Sequence, residues 1–310
     1  MQPKRSFAID KKRKRTQKLF VSICFCSALL TASLLVIILG IIFSKGLPVI
    51  SLEYLVKTEF EADGFNRGIA NTIVGTILLA VTSVVLATPL AIALALYLSE
   101  YSKENRYTQM LRFLLDLLAG IPSIVLGGIG FILFVFMAKF ITGGFSLLSG
   151  AIAVGILILP TITRSAEEAI KVVPRELKEA SYAVGATKWQ TTMRIIIPCS
   201  LSGIITGVVL GIGRAAEESS IVVLTAGYTQ YMPEFAVKHV GGKGYFMDTL
   251  VAPFQEKVGT LPISVYHSYE FSKMVPIEYG FAAATVLILI VMSINLVAKW
   301  ISHKYHLRSS

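Results

Sequence analysis

Charge is what this chain has least of. Of its 310 residues, 15% are Asp, Glu, Lys or Arg and only 19 are acidic, while 54% are hydrophobic and the mean hydropathy is +0.69. A soluble domain carries about 25% charged residues, so the composition excludes an ordinary soluble fold. The three cysteines, Cys24, Cys26 and Cys199, form no even set and no zinc-ligand spacing. They read as small buried hydrophobes. The four histidines (His239, His267, His303, His306) make no His-Glu-x-x-His arrangement, and no nucleophile elbow appears, so the chain shows no enzyme motif. A Gly-x-x-x-x-Gly-Lys-Ser/Thr loop is missing too; Gly241-Gly242-Lys243-Gly244 lacks its spacing. Any nucleotide hydrolysis coupled to this chain therefore belongs to another chain, and no cofactor or metal is expected.

What the sequence has in abundance is long apolar runs. About 20 helical residues cross the hydrocarbon core of a bilayer, and the tracts are continuous rather than alternating, which excludes a barrel. The expected fold class is an all-α, polytopic membrane protein of about six transmembrane helices. The runs lie at 19–43, 68–98, 111–138, 147–163, 195–226 and 280–301. The first is too long for the apolar core of a signal peptide and lacks a small-residue cleavage site, so it reads as an uncleaved helix. Accordingly 1–18 is a basic N-terminus, 19–65 a first helix with its outer loop, 66–302 the main body, and 303–310 a tail.

The net charge of +10 is placed for a membrane rather than for nucleic acid. Eight of the 29 basic residues precede the first apolar run, a cluster that sets orientation and can touch anionic lipid. With that end inside, twenty basic residues fall on the inner side and eight outside, which gives a cell-membrane protein with both termini cytoplasmic. Two connections are long enough to be functional: an inner one at 164–194 and an outer one at 227–279, with Pro233, Pro253, Pro262 and Pro276 in it.

In the inner loop, proline at the start and glycine past the end predict a short helix over Pro174–Gly185. Leu177, Ala180, Ser181 and Val184 share one face of it, with Arg175, Glu176, Lys178 and Glu179 mostly elsewhere. Such a face lies on its own bundle or on the lipid interface, or docks into a groove of a soluble partner. Here a resemblance decides. Glu179-Ala180-Ser181, three residues, Gly185, nine residues, then Ile195-Ile196-Ile197-Pro198 resembles the EAA signature of ABC-importer permeases, with Ser181 and Ile197 as departures. The resemblance implies the type I permease fold. It also implies that Leu177, Glu179, Ala180, Ser181, Val184 and Gly185 couple the chain to an ATPase subunit.

Further stretches are similar to the phosphate-transport branch of these permeases: Gly120–Gly127, Leu159–Arg164, Gly211–Ser219 and Thr260–Ile263. That branch implies a paralogous second permease, two copies of an ATP-binding subunit and an extracytoplasmic phosphate-binding protein. Its implied solute is inorganic phosphate, with another oxyanion or small solute as the alternative and an uncoupled channel or sensory subunit as a more distant one.

Charge inside a span is costly and points to function. Arg214 has Glu217 and Glu218 at i+3 and i+4, where helix geometry puts both carboxylates beside the guanidinium. Arg164 stands in the same relation to Glu167 and Glu168, and Asp116 to Arg112. Arginine suits an oxyanion through paired, planar hydrogen bonds. The resemblance places Arg214 and Arg164 on the solute path, with Glu217, Glu218 and Ser219 beside it. The branch pattern Arg-Ala-x-Gly-Glu-Thr departs here to Glu217 and Ser219, and the extra carboxylate leaves open a related oxyanion or a gate residue turned off the path. The run 195–226 exceeds one bilayer crossing, so its helix either starts outside the membrane or breaks near Gly211 and Gly213. Gly203, Gly207 and Gly211 form a small-residue ladder for close helix approach.

Overall fold

The computed structural model describes residues 4–62, 67–103, 105–239, 249–251, 253–273 and 275–306. The Gly241–Gly244 stretch and the last four residues of the tail lie outside the described residues. Thirteen α-helices follow one another among those described: α1 Lys4–Gly46, α2 Leu52–Val56, α3 Ala70–Leu96, α4 Arg106–Gly120, α5 Ser123–Gly130, α6 Lys139–Thr142, α7 Leu147–Lys171, α8 Arg175–Ala183, α9 Lys188–Thr191, α10 Ile197–Glu217, α11 Ser220–Thr225, α12 Leu261–Glu270 and α13 Ile277–His306. A two-stranded antiparallel pair, β1 Val237–His239 and β2 Thr249–Val251, is the only sheet among them. The all-α expectation therefore holds apart from this one hairpin.

Five helical runs are long and apolar enough to cross a membrane: Arg13–Val49, Ala70–Tyr101, Leu147–Lys171, Lys188–Glu217 and Ile277–Val297. A sixth crossing needs α4 and α5 together, and these are bent by 103°. The sequence predicts a single run over 111–138. Instead Ile121 and Pro122 take extended backbone conformations between α4 and α5, because proline disfavours helix in the residue before it. The run 195–226 follows the first of its two alternatives at its start and adds a break of its own. It starts early, continuous from Lys188 through a π-helical turn at Thr192–Ile196, and it breaks at Glu218, not near Gly211 and Gly213.

In lipid every backbone polar group must be satisfied inside the protein. Hydroxyls buried in the helices obey the same rule by donating back one turn: Thr76 to the Thr72 carbonyl, Ser83 to Leu79 and Ser200 to Ile196, each at 2.7 Å. At the end of the bundle where α12 lies, the 227–279 segment supplies what the helix ends lack. Glu256 and Phe254 carbonyls accept from the first amides of α7, Leu147 and Leu148, both at 2.8 Å, and Leu261 N donates to Thr76 Oγ1 at 2.9 Å. Asn71 holds the Thr229 carbonyl at 3.0 Å, and the Tyr228 hydroxyl donates to buried Glu59. Burial raises the Tyr228 phenol above its ordinary pKa, which keeps it a donor.

The core is built on α7, flanked by α3 and α10, with Leu157, Ile158 and Ile162 fully enclosed. The glycine ladder serves this core rather than any neighbouring chain. A Cβ at Gly203 would stand 2.4 Å from Ala169 Cβ, and one at Gly207 2.6 Å from Ser165 Cβ. The cysteines correct the expectation of burial. Cys24, Cys26 and Cys199 are all exposed on the surface of the chain, in apolar helices where a thiol serves as a small hydrophobe.

Gly207→Leu is expected to destabilise the chain by about 1–3 kcal/mol through overpacking against α7. Gly40→Leu, where an added Cβ meets nothing within 4 Å, should leave the melting temperature in detergent unchanged.

Candidate functional site

Helix α7 carries a polar stripe on one side and a partly exposed apolar stripe, Leu148, Ile152, Ile156 and Leu159, on another. Thr161, Arg164, Glu168 and Lys171 follow one another at helical spacing, with Thr161 partly exposed and the other three exposed. Thr161 lies roughly 21 Å along the helix from Leu147 at about 1.5 Å per residue, well inside a hydrocarbon core about 30 Å thick. The exposed side of α10 runs alongside through Thr206, Leu210 and Arg214. The two helices meet where Arg214 Nη1 donates to Thr161 Oγ1 at 3.1 Å. A polar face at this depth, on a bundle otherwise wrapped in exposed Leu, Ile, Val and Phe, suits water or another subunit and not lipid.

The expected pairings along single helices are not the ones made. Arg164 turns from Glu167 and Glu168 to Asp116 of α4, joined through Nη2 and Oδ1. Asp116 in turn does not pair with Arg112, which reaches Glu167 at 2.5 Å. Two residues of α4 thus cross two of α7, Arg112 to Glu167 and Asp116 to Arg164, in antiparallel register. Lys171 holds Glu167 from its own helix at 2.7 Å. The Glu167 side chain is only 8% exposed, so it sits between two cations with little water. An intrahelical i,i+4 contact is worth a few tenths of a kcal/mol, and the packing of α4 on α7 overrides it.

The acidic residues after Arg214 also part from it. Helix α10 ends at Glu217, and Glu218 is extended with its Oε1 accepting from Ile221 N at 3.1 Å. It thereby caps α11 instead of facing the guanidinium. Ser219 completes the break in a helical conformation. Glu217 is exposed and borders a groove of about 470 Å³ with Leu287, Val291, Met292 and Asn295 of α13. The two helix breaks are neighbours, since a Cβ on Gly127 of α5 would lie 3.1 Å from the Ser220 carbonyl. The helices that follow the two breaks, α5 and α11, therefore pack against each other.

At the far end of the bundle α8 forms as its proline and glycine predict. Pro174 precedes it, and Gly185 has φ +85 beyond it. Ala186 N reaches the Ser181 carbonyl at 3.1 Å and Gly185 N the Tyr182 carbonyl at 3.0 Å, a Schellman closure that needs the left-handed residue. The face does not behave as one unit, however. Ser181 is buried and hydrogen-bonded to Thr191 at 2.9 Å, while Leu177, Glu179, Ala180, Val184 and Gly185 are exposed. Val184 is 84% exposed and Trp189 on α9 63%. Lys178 anchors the helix to Glu100, beyond α3, at 2.5 Å with both side chains largely covered. The roles of Glu100, Thr161 and Thr191, and the partner of Asp116, are not revealed by sequence patterns, because the groups they meet lie 10 to 78 residues away in the chain.

The architecture is that of a multi-pass helical membrane protein with one broken span and an anchored helix at one end. The family described as the binding-protein-dependent transport system inner membrane component matches residues 87–306. This is more than half of the chain, and the chain belongs to that family of ABC-importer permease subunits. Among its relatives are the probable ABC transporter permease protein YqgI of Bacillus subtilis (strain 168), 28% identical over 291 residues, with 93% of this chain and 96% of that one covered. The phosphate transport system permease protein PstA of Pasteurella multocida (strain Pm70) is 30% identical over 288 residues, covering 93% and 94%. The fold is similar to that in the crystal structure of a bacterial ABC transporter involved in the import of the acidic polysaccharide alginate. There the TM-score is 0.62 at 17% identity, with 96% of this chain and 99% of that one covered.

Glu167→Gln is expected to cost about 1–3 kcal/mol, because it leaves Arg112 and Lys171 without their shared carboxylate. Glu168→Gln on the exposed side should stay within about 0.5 kcal/mol. Thermal unfolding of the two variants in the same detergent checks the difference.

Proposed function

We propose that this chain is one of two permease subunits of a phosphate importer, and that the polar face of α7 and α10 is its half of the solute path. The observation that carries the reading is Arg214, exposed at membrane depth with Thr161 as its hydrogen-bond partner. Its remaining guanidinium donors suit a tetrahedral oxyanion, which takes paired hydrogen bonds from arginine. A paralogous permease covers this face, so that the path is lined by both subunits. The similarity to PstA proteins along nearly the whole chain supports phosphate as the solute.

In this reading α8 is the coupling helix and faces the cytoplasm, as the bias of basic residues requires. Leu177, Ala180, Val184 and Trp189 offer apolar surface to a cleft of the ATP-binding subunit, of which the complex holds two copies. Below them Lys178–Glu100 and Ser181–Thr191 join α8 to the bundle. Movement of the ATPase pair therefore reaches the ends of α3 and α10 without a flexible joint. An extracytoplasmic phosphate-binding protein delivers solute at the α12 end. Exposed Glu217, one turn from Arg214, favours a second reading in which the same path takes a different oxyanion; competition by sulfate against phosphate uptake separates the two.

Proteoliposomes holding the chain with its partner permease and ATPase test the proposal. Arg214→Gln is expected to lower phosphate uptake about 10- to 100-fold, the scale of one charge-assisted hydrogen bond, with ATP turnover retained. Full uptake by that variant would remove Arg214 from the path. Val184→Asp should instead abolish the stimulation of ATP turnover by loaded binding protein, because it puts a charge in an apolar contact. An added Cβ at Gly185 meets nothing within 4 Å in this chain, so Gly185→Asp should act through its φ and through the docked ATPase.

A further inference from the structure

The seam between α4 and α7 holds two ion pairs that cannot have the same job. Glu167 is covered and shared by Arg112 and Lys171, which fastens the helices. The Arg164 and Asp116 side chains are 50% and 63% exposed. An ion pair that wet contributes little to stability, and the seam is already fastened one turn away. Arg164 is also placed differently from Arg112. It follows Thr161, the partner of Arg214, by one turn on the same exposed face of α7, about 4.5 Å farther along the helix.

We propose that Asp116 is a displaceable counter-ion for Arg164, a stand-in for the transported anion while the path is empty. This rests on the reading of Arg214 and Arg164 as path residues. A carboxylate and a tetrahedral oxyanion present the same paired acceptor edge to a guanidinium. Without Asp116, an empty path would carry two unpaired guanidinium groups at membrane depth, a costly arrangement that would hold any anion too tightly. With Asp116, only Arg214 is free of a carboxylate, so the oxyanion enters there. It then moves one turn to Arg164, where Asp116 gives up the guanidinium. The freed carboxylate, with Glu168 one turn beyond, repels the anion onward, and Asp116 closes back on Arg164 after release. Asp116 is thus a positioning residue that sets how long the solute stays.

The test uses the assembled transporter with full-length variants and two readouts: the rate of phosphate uptake, and the [32P]phosphate retained by the purified complex after rapid desalting. Asp116→Asn is expected to lower uptake about tenfold while raising retention, a split between turnover and binding that loss of a clamp does not produce. Asp116→Glu should restore both, and Asp116→Asn combined with Arg164→Gln should lose the extra retention. Unchanged uptake by Asp116→Asn, a fall in retention together with uptake, or failure of that variant to assemble would each overturn the counter-ion role. Normal uptake by Arg214→Gln would instead overturn the path reading beneath it.

Discussion

The carboxylate of Glu167 is the point on which the α8 end of the bundle depends. It takes Arg112 from α4 and Lys171 from the last turn of α7. Through Arg112, which also donates to the Leu98 carbonyl at 3.4 Å, it ties in the chain just past α3. Three helices are thus registered by one covered anion. The expense of holding a charge in a poorly hydrated place makes the carboxylate the strict member, because removing it leaves both cations without their shared partner. Lys178 and Glu100 repeat the device one layer out, and α8 inherits its position from both.

Breaks in helices do the opposite work, and they occur where the site needs open backbone. Pro122 ends the continuity of α4 with α5 by steric necessity, and Glu218 ends α10 while capping α11. Both lie beside α7, the helix with one polar side. In a membrane, irregular backbone is tolerated only where protein or water covers it. Here the Glu218 carboxylate covers the Ile221 amide of α11, and α5 and α11 cover each other.

Much of this fold is legible in the sequence, and the reason is physical. Apolar runs must become helices in lipid, so five long runs emerge as long helices, and Pro174 and Gly185 bound α8 as their backbone preferences dictate. The small-residue ladder is legible as a packing device but not in its target, since spacing alone does not say which helix approaches; it is α7. The charge pairings are the least legible. Arg164, Arg112 and Arg214 each had a carboxylate at i+3 or i+4, yet each bonds across to another helix or, for Arg214, to a threonine. Pattern reading knows the neighbours along one helix and is blind to those from the next, while burial rewards the interhelical choice. The break at Glu218 escaped notice for a related reason, because no proline or glycine marks it.

Glu217 shows how such a departure can be reconciled with anion transport. As a residue on a continuous helix it would stand beside Arg214 and cancel its charge. In the structure the helix stops there, and Glu217 borders the α13 groove among Leu287, Val291 and Met292, while the Arg214 guanidinium leans the other way to Thr161 on α7. The separation comes from packing rather than from distance in the chain: α10 packs against both α7 and α13, and the two side chains turn to different ones. An acidic residue three positions from an arginine therefore need not cancel its charge, provided the two side chains answer to different neighbouring helices.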